Sequence, residues 1–221
     1  MTQGSAAPDW LRRLVADAPR MRINRALRPP DDGGGRRSAV LILFGAGPNG
    51  PDLLLIQRSA TLRNHAGQPA FPGGALDPED GDPDGDGPVN AALREANEET
   101  GLNPDGVEVL ATLPDLFVWR SGFRVTPVVG WWRDPSDVHP GDPAEVASVA
   151  RVPIADLSDP ANRASVRAPN GYVGPAFLVA NMVVWGFTAG IIEGLLDLGG
   201  WTREWDRSRT VDLPGPYGRS A

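Results

Sequence analysis

The sequence predicts a single α/β or α+β domain in which helices cover a mixed β-sheet. Short apolar runs of strand length recur along the chain, and helical segments with apolar faces lie among them. Interspersed strands and helices of this kind are typical of a layered sandwich. The 221 residues and 41% hydrophobic content suffice for one ordinary domain with its own core.

The apolar runs place the elements in order. Predicted strands cover Ser38–Gly45, Asp52–Gln57, Val107–Leu113, Leu116–Trp119, Arg124–Trp132, Glu145–Val152 and Tyr172–Val179. Predicted helices cover Pro8–Ala18, Val89–Thr100, a short turn at Ile154–Leu157, and Val183–Leu198. Ordered or polar loops are expected at Arg58–Ala70, Asp134–Ala144 and Ser158–Gly171. We therefore predict an Arg-rich arm at 1–37, a domain at 38–198 and a loose tail at 199–221.

The best-marked helix is Val89–Thr100. Pro88 suits its first turn, and Gly101 suits its C-terminal cap. Either Asp86 or Gly87 can cap its start.

Composition excludes several classes of protein. The net charge of −7 argues against a general binder of nucleic acid or of membrane surfaces. The chain has no Cys, which excludes disulfides, thiolate metal sites and a Cys nucleophile. All 21 basic residues are Arg, so a phosphate-loop Lys and a Schiff-base Lys are excluded, whereas forked phosphate contacts remain available.

The chain is expected to be cytoplasmic. Met1–Pro19 contains acids and no continuous apolar run, unlike a signal peptide. Ala176–Ile192 is at the short limit for a membrane span, and we interpret it as a buried strand followed by a packed helix.

One stretch carries chemistry: a Phe71-Pro-Gly-Gly74 turn that precedes a helix with three glutamates. Glu95, Glu98 and Glu99 are spaced i, i+3 and i+4, which places them on one helix face. Three like charges there repel one another, and a divalent cation would relieve the repulsion. Mg²⁺ takes oxygen ligands and usually binds together with substrate phosphates. The pattern therefore indicates metal-assisted phosphate chemistry.

The same stretch resembles the Nudix box. That pattern is Gly, five residues, Glu, seven residues, then Arg-Glu-apolar-any-Glu-Glu-any-Gly-apolar. The segment Arg94–Leu102 matches its second half, but Asp80 stands in place of the first Glu, and thirteen residues rather than seven separate it from Arg94. The run Gly81–Asp86 behaves as a six-residue insertion, so the first acidic position is filled by Asp80, by Asp86 or by neither.

Flanking residues are similar to the coenzyme A pyrophosphatase subgroup of Nudix hydrolases. The similar segments are Arg58-Ser59, Arg63, Gly67 and Phe71–Gly74 upstream, the acids Asp77 and Asp80, the run 91–96, and Ser121–Pro127, Pro143–Val146 and Val184–Ala189 downstream. The resemblance implies an α/β/α sandwich with a mixed sheet. It also implies hydrolysis of coenzyme A or its thioesters to 4′-phosphopantetheine and adenosine 3′,5′-bisphosphate. A homodimer is also allowed.

The resemblance also implies roles for single residues. Glu95, Glu98 and Glu99 would hold Mg²⁺ or Mn²⁺, with Asp80, Asp86 and Glu145 as weaker candidate ligands. Arg94 would orient a carboxylate of the box. Gly73 and Gly74 would allow close approach of the backbone, and Arg58 and Arg63 would bind substrate phosphates.

Other interpretations stay open at this point. His65 is a candidate general base, His139 is expected to be exposed, and Phe117 or Phe123 could stack on adenine or pack in the core. The run Asp80–Gly85 has the Asp spacing of a calcium loop, but Ala91 stands where a bidentate Glu is needed, so a mobile surface insertion is favoured. The substrate could instead be ADP-ribose, NADH or an oxidised nucleotide, and a non-catalytic binding module of the same fold is a further alternative.

Overall fold

The computed structural model describes residues 6–21, 27–30, 33–167, 171–213 and 217. Arg22 and Arg25 of the predicted arm and most of residues 214–221 of the predicted tail lie outside the described residues. The strands are β1 Arg36–Gly47, β2 Gly50–Arg58, β3 Pro69–Ala70, β4 Gly73–Ala75, β5 Val107–Thr112, β6 Leu116–Val118, β7 Phe123–Trp132, β8 Val146–Pro153, β9 Arg163–Arg167, β10 Val173–Val179, β11 Met182–Trp185 and β12 Thr210–Val211. The α-helices are α1 Asp9–Asp17, α2 Gly87–Thr100, α3 Ile154–Ser158 and α4 Gly186–Leu198.

The larger of two sheets is mixed, as predicted, and β1 lies at its centre. β1 pairs antiparallel with β2 through the expected hairpin and parallel with β7 on its other side. The strand order is β3-β2-β1-β7-β5, with β8 paired to β2, β6 to β7 and β4 to β1. The last pairing positions the Gly-rich turn on the central strand.

Helices cover both faces of this sheet, which confirms the α/β/α sandwich. Successive strand residues face opposite sides, so Leu41 and Leu43 of β1 pack with α2, whereas Ile42 and Phe44 belong to the core that α1 and α4 cover. The face of α2 that is buried there is lined by small side chains, Ala91, Ala92 and Ala96. Small residues let the helix approach β1 closely. The same proximity places the glutamates of the helix next to the Gly-rich turn.

The second sheet corrects two predictions. Its order is β11-β10-β9-β12. The predicted loop Ser158–Gly171 contains β9, which pairs with β10. The predicted helix Val183–Leu198 begins only at Gly186, because the β-branched residues Val183 and Val184 pair with β10 instead. Gly186 has φ 65°, a left-handed conformation that lets the chain turn from strand to helix.

The two flanking segments pack on the domain. Leu11 and Leu14 of α1 are buried in the main core, and Trp10 makes an edge-to-face contact with Trp201 at 5.2 Å. The prediction of a loose tail is wrong for residues 199–213, because β12 pairs with β9 and Leu213 is 5% exposed. The domain boundaries at 37/38 and 198/199 stay a prediction. In the described parts of the chain, no helix is long and apolar enough to cross a membrane.

The predicted termini of α2 are largely confirmed. Pro88 lies in the first turn, and Gly101 ends the helix with φ 69° while its N–H donates to the Asn97 carbonyl. Asp86 occupies the N-cap position, but its side chain makes no cap hydrogen bond. Its backbone carbonyl accepts from the N–H groups of Val89 and Asn90 instead.

Candidate active site

The Gly-rich turn lies directly beside α2, and its glycines are required by close contacts. The Gly73 N–H donates to Glu99 Oε2 at 2.9 Å. A Cβ at Gly73 would lie 2.3 Å from the Ala39 carbonyl oxygen, and one at Gly74 would lie 2.3 Å from Glu95 Oε1. A side chain at Gly73 would push the turn away from β1, and one at Gly74 would displace the Glu95 carboxylate. The predicted close backbone approach is therefore present in the fold.

Glu99 is the most deeply buried of the three helix glutamates. Its side chain is 5% exposed, and Arg58 Nη1 lies 3.5 Å from its Oε1. Burial raises the pKa of Glu99 to about 7, although the Gly73 N–H and Arg58 act in the opposite direction. Repulsion from Glu95 and Glu145 raises it further. Glu95, Glu99 and Glu145 therefore interact electrostatically in one electronegative site, in which Glu99 is the desolvated member.

Glu95 and Glu98 are joined by Arg94. Arg94 Nη1 lies 3.1 Å from Glu95 Oε1 and 3.4 Å from Glu98 Oε2. Burial raises the pKa of Glu95, against the effect of Arg94. Glu98 differs because its side chain is 58% exposed. The structure therefore brings Glu95 and Glu99 together on one side of α2 and leaves Glu98 at the solvent edge.

Asp80 is held by Arg94 in a two-pronged contact. Arg94 Nε donates to Asp80 Oδ1 at 3.0 Å and Nη2 donates to Oδ2 at 2.8 Å, while Nη2 also donates to the Ala75 carbonyl at 3.2 Å. The Arg94 hydrogen bond holds the pKa of the Asp80 carboxyl below its usual value. Asp86, in contrast, is exposed at the start of α2. Asp80 is thus the acid that fixes the position of the box arginine.

The run Gly81–Asp86 forms an exposed turn at the surface, as the sequence indicates. The Gly85 and Gly87 N–H groups donate to the Asp82 carbonyl, and Arg37 Nη2 pairs with Asp84 at 3.0 Å. The insertion is therefore accommodated without displacing Asp80 from Arg94.

A cleft of about 450 Å³ opens beside the turn and α2. We use the term acidic side for the part of its lining formed by Gly73, Gly74, Glu95, Glu99 and Glu145. We use the term aromatic side for the part formed by Arg120, Ser121, Phe123, Trp185 and Phe187. Arg58 also lines the cleft, beside Glu99.

No sequence pattern predicted roles for Arg120, Trp185 and Phe187. A signal was present for the two aromatic residues, since Val184–Ala189 belongs to the flanking pattern. That pattern did not indicate that Trp185 and Phe187 lie near the Nudix box. Arg120 lies just before another flanking segment, in the turn between β6 and β7.

Several other candidates differ in their placement. Phe123 and His65 line the cleft, and His65 Nδ1 lies 2.8 Å from Gln68 Oε1. Phe117 is buried and packs edge-to-face with Trp119 at 4.7 Å, which corresponds to the core-packing interpretation. Arg63 is exposed and does not line the cleft, and His139 is exposed as expected.

The donor set of the acidic side suits a hard divalent cation. Among the described residues, no three acidic or histidine side chains already converge as a metal-binding cluster. The three glutamates are instead paired with arginines, Glu95 and Glu98 with Arg94 and Glu99 with Arg58. Two desolvated carboxylates with raised pKa values and a third at 58% exposure offer the oxygen ligands that Mg²⁺ and Mn²⁺ prefer. The residues present therefore fit such an ion.

Comparison with known proteins identifies the family. The family model described as NUDIX domain matches residues 35–172, more than half of the chain. The chain belongs to the Nudix family. It is 40% identical over 163 residues to the Nudix hydrolase NudL of Cronobacter sakazakii, an alignment that covers 72% of this chain and 81% of that protein. It is 39% identical over 174 residues to NudL of Citrobacter koseri, covering 76% and 87%.

A solved structure confirms the Nudix fold. The Nudix hydrolase RenU from M. smegmatis superposes with a TM-score of 0.52 at 20% identity, covering 83% of this chain and all of that one. The chain is thus a Nudix hydrolase, and membership of this family implies a divalent metal ion. Trp185 and Phe187 of the aromatic side lie beyond residue 172, outside the segment that the family model matches.

Proposed function

We propose that this Nudix hydrolase cleaves the diphosphate linkage of coenzyme A or of its thioesters. One water molecule would add across the P–O–P linkage, breaking one P–O bond and forming another. The two products would be 4′-phosphopantetheine and adenosine 3′,5′-bisphosphate.

The observation that carries this proposal is the combination of the two sides in one cleft. The acidic side suits a metal-bound diphosphate, while the aromatic side offers a guanidinium and three rings, Phe123, Trp185 and Phe187. Coenzyme A joins a diphosphate to an adenosine whose ribose carries a further phosphate, so it needs both kinds of contact. About 450 Å³ is within the usual range for small-molecule sites.

The flanking motif supports the same substrate. Arg58 opens the Arg-Ser pattern and lines the cleft 3.5 Å from Glu99. Its Nε is buried and has no hydrogen-bond partner among the described residues, so it retains an unused donor beside the acidic side. We assign Arg58 to the substrate phosphates. Arg63, which is exposed outside the cleft, would reach only an extended part of the substrate.

The carboxylates have distinct proposed roles. Glu95, Glu98 and Glu99 would hold Mg²⁺ or Mn²⁺, and Glu145, an exposed residue on the cleft, would supply a further ligand or accept a proton from water. When bound, the cation neutralises charge on the diphosphate and lowers the pKa of a water molecule. Arg94 would orient Glu95 and Glu98, and Asp80 would orient Arg94 rather than bind the metal, because both of its oxygens already accept from Arg94.

The test is a substrate panel with the purified full chain. Coenzyme A, acetyl-coenzyme A, ADP-ribose, NADH and an oxidised nucleotide are each incubated with Mn²⁺ or Mg²⁺, and products are identified by mass. We expect the highest kcat/KM for coenzyme A or its thioester, with the two products named above.

Two outcomes would overturn the proposal. A much higher kcat/KM for ADP-ribose or another nucleotide would assign the chain to a different substrate. Tight binding of coenzyme A by calorimetry without turnover at micromolar enzyme would indicate a binding module.

A further inference from the structure

One residue from the far C-terminal segment contacts two members of the aromatic side. The ring of Tyr217 lies 5.3 Å from the Trp185 ring, centroid to centroid, with an angle of 58° between the ring planes. The Arg120 guanidinium carbon lies over the same tyrosine ring at 5.9 Å. Tyr217 does not itself line the cleft, whereas Trp185 and Arg120 do. Tyr217 therefore contacts both side chains from outside the cleft.

Tyr217 is attached to the second sheet. It packs, together with Trp185 and Val211, on a small core formed by Ala164, Val166, Ala176 and Leu213. Pairing of β12 with β9 fixes the preceding segment on that sheet. The tyrosine ring is thus supported by packing that is independent of the acidic side.

Arg120 and Trp185 both retain unused binding capacity. Arg120 is exposed and, within the described residues, has no carboxylate within ion-pair distance. Arg58, by contrast, pairs with Glu99. The Trp185 indole Nε1 is buried without a hydrogen-bond partner in the described part of the chain. A guanidinium without a carboxylate partner among the described residues and an indole that line the same cleft suit a nucleoside whose ribose carries a phosphate.

We propose that Tyr217 is a positioning residue that sets the selectivity of the cleft for the base-containing half of the substrate. It would do so by fixing the Trp185 indole and the Arg120 guanidinium, without contact with the diphosphate or the metal ligands. This inference rests on the proposed function, since it concerns a substrate with a diphosphate at one site and an aromatic base at another.

The experiment uses two probes that separate the sides of the cleft. Adenosine 3′,5′-bisphosphate reports the aromatic side, and methylene diphosphonate with Mg²⁺ reports the acidic side. Their Kd values are measured by calorimetry for the wild type, Tyr217→Ala and Tyr217→Phe. The phenylalanine variant is the matched control, because it keeps the ring that contacts Trp185 and Arg120.

We expect Tyr217→Ala to weaken bisphosphate binding by about fivefold or more, while diphosphonate binding stays unchanged. Tyr217→Phe should bind both probes like the wild type. In turnover of coenzyme A, the alanine variant should show a raised KM and an unchanged kcat.

Three results would overturn the inference: no measurable binding of the bisphosphate to the wild type, no change in its Kd in Tyr217→Ala, or equal weakening of both probes. The third would indicate a general structural role. Failure of the proposed function can be told apart from failure of this inference. If the wild type does not hydrolyse coenzyme A, the proposed function is wrong, and the two calorimetric Kd values still decide the role of Tyr217.

Discussion

The two sides of the cleft differ in how the chain forms them. The acidic side comes mainly from one segment of the chain, the Gly-rich turn and the helix that follows it, with Glu145 added from the loop before β8. All of these residues lie within the segment 35–172 that matches the family model. The aromatic side combines the β6–β7 turn with the β11–α4 junction, which lies outside that match. If the proposed function is correct, the catalytic chemistry resides mainly in a local motif, whereas selectivity depends on segments that tertiary packing brings together.

The two sides also differ electrostatically. On the acidic side, burial raises the pKa of Glu95 and of Glu99, so the folded chain holds carboxylates where their charge is unfavourable. On the aromatic side, Trp185 packs against Tyr217 and the small core of the second sheet. Unfavourable carboxylate charges on the acidic side are expected if that side binds a cation, whereas the aromatic side is stabilised by packing.

The largest expected effect comes from the metal ligands. Glu98→Gln and Glu99→Gln should each lower kcat by about 100-fold or more, because each removes a charged oxygen ligand at the reacting diphosphate. Steady-state kinetics with Mn²⁺ measures this, with circular dichroism to verify the fold. Glu79→Gln, which changes an exposed acid in the turn at Pro78–Asp80 before α2, is the control and should keep wild-type rates. Near-wild-type kcat in both box variants would show that the metal lies elsewhere.

An intermediate effect should separate Asp80 from Asp86. Asp80→Asn removes the charge from a buried two-pronged contact with Arg94, so the free energy of unfolding should fall by about 2 kcal/mol and kcat by about tenfold. Asp86→Asn is the matched variant and should change the unfolding free energy by less than about 0.5 kcal/mol. Urea unfolding and turnover are measured for both. Equal effects of the two substitutions would contradict the assignment of Asp80.

The smallest expected effect concerns the stability of the metal-free chain. Because the folded pKa of Glu99 is about 7, above its usual 4.5, its contribution to stability is fully present below pH 4.5 and is lost as pH rises through 7. Glu99→Gln avoids this loss, so its stability relative to the wild type should increase by about 1 to 2 kcal/mol between about pH 5.5 and about pH 8.

Urea unfolding in the presence of EDTA measures this difference. Added Mg²⁺ should reduce the advantage of the variant, since the ion stabilises the ionised carboxylate. A pH-independent difference would show that Glu99 is not desolvated as the structure has it.

The sequence by itself determined the central strands, α2 and the spacing of its three glutamates. These features depend on local rules: alternation along a strand, 3.6 residues per helical turn, Pro88 at the start and Gly101 at the end. Local rules do not depend on distant residues, so they can be evaluated from neighbouring positions alone. The same reasoning identified the turn at Gly73 and Gly74.

Tertiary structure decided the rest. Asp80 and Asp86 were equivalent in the sequence, and only the folded chain assigns Arg94 to Asp80. Trp185 belongs to a strand rather than a helix because β10 supplies its pairing partner, Ala176. The contacts among Arg120, Trp185 and Tyr217 join residues that are far apart in the chain. Their energies depend on which surfaces meet after folding, and that information is not contained in any local pattern.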